Sequence, residues 1–271
     1  MSAQLLKLGG ELLEDATRLS ALAGAVAALA REGPLVLVHG GGREIDAEMA
    51  RRGLARHTVD GLRITDAATL DAVVAVVAGT VNTRLVAALA AAGVRAVGLT
   101  GADAAIVPAV DASSHRAADG RIVELGLVGR PVGESMPALL EDLLACGYVP
   151  VVACLGLGPG GQLLNVNADT FAAHLAQRCG ATRLLIAGAT AGVLDAGGCT
   201  IEVLDLGRLE ALVADGTASA GMAAKLAACR DALLGGVAEV RIVDGRQPAG
   251  LPAAAGTRVV ARAAAAAARD R

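Results

Sequence analysis

Two lysines stand out in this chain of 271 residues. Lys and Arg together number 24, and only Lys7 and Lys225 are lysine. An ammonium is a compact, mobile point charge that fits between phosphate oxygens, where a broad planar guanidinium cannot take its place. In a composition so biased toward arginine, a lysine at an indifferent surface position has every reason to become arginine. The two that persist are candidates for handling a phosphoryl group; survival by chance is the competing reading.

Their surroundings favour the first reading. Lys7 opens Lys7-Leu8-Gly9-Gly10 at the end of a predicted strand, and His39-Gly40-Gly41-Gly42 ends another just ahead of a helix. Open parallel sheets bind ligands at the carboxyl ends of their strands. Consecutive glycines there bring backbone N–H groups close to an anion, and a helix start favours negative charge. Sharp turns explain either pair alone. Asn165-Val166-Asn167-Ala168-Asp169 sets two of the three asparagines beside an acid at a helix start. Helix capping accounts for Asn167 or Asp169; the functional reading has Asn165 bind a ligand carboxylate and Asp169 orient the lysines. Arg63, in Gly61-Leu62-Arg63-Ile64-Thr65, has the fork to grip a substrate carboxylate bidentately.

Other patterns mislead. Gly156–Gly161 satisfies G-x-G-x-x-G after a strand, but it runs into extended Gln162–Asn165 with no acid about 20 residues on. Pro159 also lacks an amide donor, so a hairpin turn is expected rather than a dinucleotide loop. Neither lysine has a Walker A context, and His39, His57, His115 and His174 lack metal-ligand spacing. A net charge of -3 with Tyr148 and Phe171 as the only aromatics disfavours nucleic acid. No basic stretch leads an apolar one at the start, and the apolar runs, such as the one ending before Arg84, read as too short to span a bilayer. Cys146, Cys154, Cys179, Cys199 and Cys229 form no C-x-x-C pair and read as reduced. A soluble cytoplasmic α/β protein is expected, with no nucleic-acid or membrane partner and no metal cluster of its own.

The elements that must position these residues alternate along the whole chain. Strands are predicted at Gln4–Leu8, Leu35–His39, Val94–Leu99, Val149–Ala153, Arg183–Ile186 and Val237–Val243. Helices are predicted over Asp15–Arg31, after Gly42 with Ile45, Met49 and Ala50 on one face, and over Asp66–Ala92. Others run from a Ser135 cap to Cys146, from Ala168 to Cys179-Gly180, and over Leu206–Asp215 and Gly221–Leu234, where Gly235-Gly236 fits a C-terminus. Ile106–Val132 reads as hairpins, and Arg262–Arg271 as a short helix or a frayed end. Alternation of this kind predicts a three-layer α/β/α sandwich with a central, mainly parallel sheet. Two lobes, residues 1–170 and 171–271, should meet near Asp169.

In collinear order, KLGG (Lys7–Gly10), VHGGG (Val38–Gly42), GLRITDA (Gly61–Ala67), AVGLTGADA (Ala96–Ala104), LVG (Leu127–Gly129), GYVPVVACLG (Gly147–Gly156), LNVNADT (Leu164–Thr170), GVLD (Gly192–Asp195), GMAAKLAAC (Gly221–Cys229) and GTRVV (Gly256–Val260) resemble the amino acid kinase family, most closely its acetylglutamate-phosphorylating branch. The resemblance implies ATP-dependent phosphorylation of the side-chain carboxylate of N-acetyl-L-glutamate, the second step of arginine biosynthesis. It implies that Lys7 and Lys225 stabilise the transferred group, that Asp169 holds both, and that Gly41, Gly42, Arg63 and Asn165 bind acetylglutamate. Gly9 and Gly10 would meet the phosphates, and Gly188, Ala189, Thr190, Ala191, Gly192, Val193, Thr217, Ala218 and Ser219 would line the nucleotide site. Mg²⁺ bound mainly through the nucleotide phosphates and a homodimer formed through the first lobe are also implied. With the chain opening almost at its first strand, the N-terminal helix of arginine-inhibited hexameric members is not expected, which favours an unregulated dimer. One departure stands out: Ala187-Gly188 replaces the usual Ser/Thr-Asp of the nucleotide loop. A kinase for carrier-bound aminoadipate and a catalytically weak sensor remain the alternatives.

Overall fold

The computed structural model describes residues 3–195, 197–214, 220–251, 253 and 255–261. Its centre is an eight-stranded sheet built from β1 (Gln4–Leu8), β2 (Leu35–His39), β3 (Ala96–Thr100), β4 (Val149–Ala153), β5 (Arg183–Gly188), β6 (Val203–Asp205), β7 (Glu239–Asp244) and β8 (Gly256–Val260), in the order β6-β8-β7-β5-β1-β2-β4-β3. Every neighbouring pair is parallel except β7–β8. β2 (LVLVH) and β4 (VPVVA) are buried at every position, as continuous apolar runs are when helices cover both faces. α1 (Ala16–Glu32) and the long α3 (Ala67–Ala91) pack together on one side, and α5 (Ala168–Arg178) against α7 (Ala220–Leu234) on the other. This is the expected sandwich, with helices on both sides of a mostly parallel sheet.

Local chemistry sets the boundaries. Asp15 caps α1 by accepting the Arg18 N–H at 2.7 Å, and Leu19, Leu22, Val26 and Leu29 form its buried stripe. Asp66 caps α3 through the Thr69 N–H at 2.8 Å. The helix expected over Asp66–Ala92 is present, but its middle, Ala75–Val81, is wound as a π-helix. That helix also corrects an expectation. It spans 25 residues with a hydropathy of 1.8, long and apolar enough by length and composition to cross a membrane. Arg84 does not interrupt it, because its guanidinium reaches out to Glu44 of α2 (Gly42–Arg51). Val73, Val77, Val81, Leu85 and Leu89 bury one face in the core of the protein.

Ser135 caps nothing. α4 (Ala138–Ala145) begins three residues later behind an extended Pro137, while the Ser135 carbonyl accepts the Arg178 Nε–H at 2.9 Å. β5 runs two residues beyond the predicted end, so Gly188 closes a strand. β7 begins and ends later than expected, at Glu239 and Asp244. The chain turns over Gly158–Gln162 between Leu155–Leu157 and Leu163–Asn165, the expected antiparallel hairpin except that Gly156 pairs within its first strand; Gly160 and Gly161 are at positive φ. The region 106–132 forms short antiparallel ribbons, among them Ser114–Arg116 with Ile122–Glu124. α6 (Leu206–Ala214) precedes α7. The tail at 262–271 lies outside the described residues.

Candidate active site

The carboxyl ends of β1, β2 and β5 converge at one edge of the sheet. The Gly40 N–H donates to the Leu8 carbonyl at 3.2 Å, and the Gly9 N–H to the Ala187 carbonyl at 2.9 Å. The turn after β1 is therefore clamped between the turns after its two neighbours. Gly10 lies against the second glycine turn so closely that a Cβ there would stand 2.8 Å from the Gly41 Cα. Only glycine permits that approach.

Below this edge the two lysines, more than 200 residues apart in sequence, meet on one carboxylate. Lys7 Nζ lies 2.8 Å from Asp169 Oδ1; Lys225 Nζ lies 3.1 Å from Oδ2 and 3.2 Å from Oδ1. α5 presents Asp169 in its first turn because Asn167 caps the helix, accepting the N–H groups of Asp169 and Thr170 at 2.9 and 3.1 Å. Asn167 is thus the cap, and Asp169 is free to face the lysines. Lys7 at 6% exposure and Asp169 at 8% are buried, and Lys225 is partly buried, its side chain 13% exposed.

Electrostatics follow from that burial. Burial alone would raise the Asp169 pKa, but the two ammonium groups hold the carboxyl below its ordinary range. Burial opposes the charge on Lys7 too, and Asp169 more than restores it, so the Lys7 pKa is raised. Lys225 goes the other way: burial and the Lys7 charge together lower it. Two cations on one anion leave a buried surplus of positive charge, a setting that an incoming anion relieves.

Beside the triad opens a cleft of about 560 Å³ whose lining includes Gly40–Gly42, Gly61–Arg63, Asn165 and Ala189. Arg63 is held rather than loose. Its Nη2 lies 2.5 Å from Asp46 Oδ1 and donates to the Gly42 carbonyl at 3.3 Å, and its Nη1 donates to Met49 Sδ at 3.1 Å. Asn165 Nδ2 donates to Thr65 Oγ1 at 3.1 Å, and that hydroxyl donates to the Arg63 carbonyl at 3.0 Å. Gly41, Gly42, Arg63 and Asn165 are thereby brought together. Cys154, also on the wall, is kept a neutral thiol by burial, its pKa raised to about 11.

After β5, Ala189 reaches the cleft; it, Thr190 and Ala191 are exposed, while Gly188, Gly192 and Val193 are buried. The Val193 N–H donates to Thr257 Oγ1 at 2.8 Å, which ties this loop to β8. Ala191 lines a separate hollow with Asp244 and Arg258. Thr217, Ala218 and Ser219 lie outside the described residues. Among the described residues no group of three His, Cys, Asp or Glu side chains is placed to hold a metal ion.

Sequence reasoning missed four participants here. Asp46 and Met49 stand three residues apart on α2, hence on the face that meets Arg63. Glu11 follows the first glycine pair; its Oε1 accepts the Ala189 N–H at 3.1 Å and would stand 3.4 Å from a Cβ on Gly188. A carboxylate thus stands beside position 188, where the resemblance led one to expect one on the loop itself. Thr65, buried inside a quoted motif, gave no signal of its own.

A mostly parallel α/β sheet whose strand ends carry glycine turns over a lysine–aspartate–lysine group has the features of an enzyme that handles phosphoryl groups. The chain belongs to the amino acid kinase family, whose family model matches residues 3–244. It is 43% identical over 248 residues to the acetylglutamate kinase of Solibacter usitatus, covering 91% of this chain and 93% of that protein. Similarity to the acetylglutamate kinase of Acidiphilium cryptum is 42% over 217 residues, with 79% and 72% covered. Among solved structures, N-acetylglutamate synthase from Neisseria gonorrhoeae in complex with coenzyme A and N-acetyl-glutamate superimposes with a TM-score of 0.82 at 27% identity. That likeness covers 97% of this chain and 60% of the other, so this chain spans little more than half of the longer protein.

Proposed function

We propose that this enzyme transfers the γ-phosphoryl group of ATP to the side-chain carboxylate of N-acetyl-L-glutamate, giving N-acetyl-L-glutamyl 5-phosphate in arginine biosynthesis. The observation that carries the chemistry is the meeting of Lys7 and Lys225 on Asp169 at the sheet edge. Similarity over nine-tenths of the chain to an acetylglutamate kinase supports the choice of substrate.

A carboxylate is ionised at neutral pH and is already the nucleophile, so no general base is required. One of its oxygens forms a bond to the γ-phosphorus as the bond to the β–γ bridging oxygen breaks, and ADP leaves with that electron pair. Catalysis then rests on alignment and on neutralising charge on the equatorial oxygens. Lys7 and Lys225 supply that neutralisation. Asp169, ionised and engaged by both lysines, organises them and takes no proton. Gly10 and the Gly41–Gly42 turn offer backbone N–H groups to phosphoryl oxygens, whereas the Gly9 N–H is already given to the Ala187 carbonyl and Gly9 only shapes the turn.

Arg63 binds the acetylglutamate α-carboxylate, held in place by Asp46, and Asn165 adds a second polar contact beside it. The segment 188–193, with Thr217–Ser219, receives the nucleotide. Mg²⁺ suits this donor set as a companion of ATP: a hard cation that keeps phosphate and water ligands needs no protein cage. It would add positive charge at the phosphates. Residues 1–170 form the acyl-amino-acid lobe and 171–271 the nucleotide lobe. A homodimer formed through the first lobe and work in the cytoplasm complete the reading.

The test is ADP release with Mg²⁺-ATP across N-acetyl-L-glutamate, L-glutamate, N-acetyl-L-aspartate and carrier-linked aminoadipate. Turnover with N-acetyl-L-glutamate at least tenfold above the others is expected. Activity confined to the carrier-linked acid, or absence of ATP binding, overturns the proposal.

A further inference from the structure

One buried histidine has no part in the chemistry so far. His39 ends β2, one residue ahead of the glycine turn, and is fully buried. Its ring nitrogens have different partners: Nδ1 is 3.1 Å from the Gly40 carbonyl, and Nε2 is 3.0 Å from the side-chain nitrogen of Asn82. A carbonyl only accepts, so Nδ1 carries the proton. The Asn82 nitrogen also donates to the Val151 carbonyl of β4 at 2.9 Å, which fixes the orientation of that amide and leaves Nε2 as acceptor. A second ring proton would set two donors face to face. Burial holds the imidazole neutral as well, its pKa lowered to about 4.

The Gly40 carbonyl belongs to the peptide that joins Gly40 to Gly41. A trans peptide is planar, so its C=O and N–H point in opposite directions. Holding the C=O toward the buried imidazole turns the Gly41 N–H away from the core and toward the cleft that Gly40–Gly42 line. A run of glycines has little conformational preference of its own and would otherwise sample many orientations.

A second feature converges on the same peptide. The π-wound stretch Ala75–Val81 ends immediately before Asn82. Its Val81, Val76 and Val77 side chains surround Gly41, standing 3.5, 3.6 and 3.7 Å from where a Cβ there would be. π-turns are rare and recur at functional sites. Here the widened turn walls in Gly41 with three valines and brings Asn82 beneath His39.

We infer that His39 is a positioning residue for the proposed phosphoryl transfer, fixing the Gly40–Gly41 peptide so that the Gly41 N–H faces the migrating group, with Asn82 fixing its tautomer. The inference rests on the reaction proposed above, and it identifies which backbone donor the fold pre-aims. The amide of asparagine reaches the position of Nδ1, and that of glutamine the position of Nε2. His39→Asn therefore keeps the donor to Gly40, whereas His39→Gln keeps only the partner for Asn82.

Both variants are to be compared with wild type for kcat, both KM values and thermal midpoint. His39→Gln is expected to lose 10- to 100-fold in kcat with KM for ATP within twofold, less than the roughly 100- to 1,000-fold for removing an aimed donor outright, because the Gly41 N–H is loosened and not removed. His39→Asn is expected to stay within threefold of wild-type kcat. Wild-type kcat in His39→Gln, or equal losses in both variants that follow the thermal midpoint, overturns the inference. Long-range ¹H–¹⁵N NMR of wild type decides it without any variant: the Nδ1–H tautomer should persist from pH 6 to pH 9, and an Nε2–H signal contradicts it. Wild type without turnover on any acylated acidic amino acid retires the reaction, while the NMR signature still judges His39.

Discussion

The two walls of the cleft are built by opposite means. On the wall formed by β2, α2 and the Thr58–Arg63 hairpin, side chains hold one another: Asp46 grips Arg63, Thr65 links Arg63 to Asn165, and His39 grips Gly40. On the side after β5 the chain reads Ala187-Gly188-Ala189-Thr190-Ala191-Gly192-Val193, with small side chains, and Ala189, which reaches the cleft, gives its N–H to the Glu11 carboxylate. Placed charges and a locked turn suit a small acid that must be chosen and aligned. A wall of backbone amides suits a nucleotide gripped by its phosphates. The triad joins the two sides, with Lys7 on β1, Asp169 at the start of α5 and Lys225 on α7.

This contrast can be broken at the joint first. Lys225→Arg keeps the charge and loses the compact shape, and kcat is expected to fall 100-fold or more, a barrier increase of at least about 3 kcal/mol. Steady-state rates at saturating ATP check this, and near-normal turnover would remove Lys225 from its role. Breaking the side-chain wall comes next. Arg63→Ala should raise KM for acetylglutamate at least tenfold while leaving KM for ATP within twofold, because its partners Asp46 and Met49 lie on that wall alone. A parallel rise in both constants would mean that the walls are not separate.

Glu11→Gln probes the bare wall, and a three- to tenfold rise in KM for ATP alone is expected. An unchanged or lower value would mean that the carboxylate merely occupies the cradle until phosphate displaces it. A separate effect concerns acid stability and leaves both walls intact. His39 is depressed from 6.5 to about 4, so the unfolded chain takes up a proton below pH 6.5 that the folded chain refuses. Its stabilising contribution is complete above pH 6.5 and is lost as pH falls toward 4, by roughly 3 kcal/mol. Urea midpoints should drop across that window in wild type and drop less in His39→Asn.

The site was legible where chemistry is written in rare residue types. Lys7, Lys225, Asp169 and the glycine turns showed themselves because composition made lysine conspicuous and because glycine pairs punctuate strand ends. Alternating apolar runs gave the sandwich, and Asp15 and Asp66 marked helix starts through their caps. The supporting residues were not legible. Asp46, Glu11 and His39 resemble ordinary surface acids and a core histidine until the fold brings distant segments together. Asn82, a poor helix former inside an Ala/Val helix, was the one available hint. The π-wound stretch leaves no mark, since its apolar residues satisfy an α-helical pattern equally well. Ser135 misled because a cap-competent residue says nothing of the proline two positions on.

The central claim is that the acyl side-chain carboxylate accepts the phosphoryl group beneath the two lysines. Hydroxylamine trapping tests it most directly, because an acyl phosphate gives a hydroxamate and a free carboxylate does not. Wild type with Mg²⁺-ATP and N-acetyl-L-glutamate should yield one γ-hydroxamate per ADP, and Lys225→Arg neither. ADP release without hydroxamate, or hydroxamate undiminished in Lys225→Arg, would contradict the account.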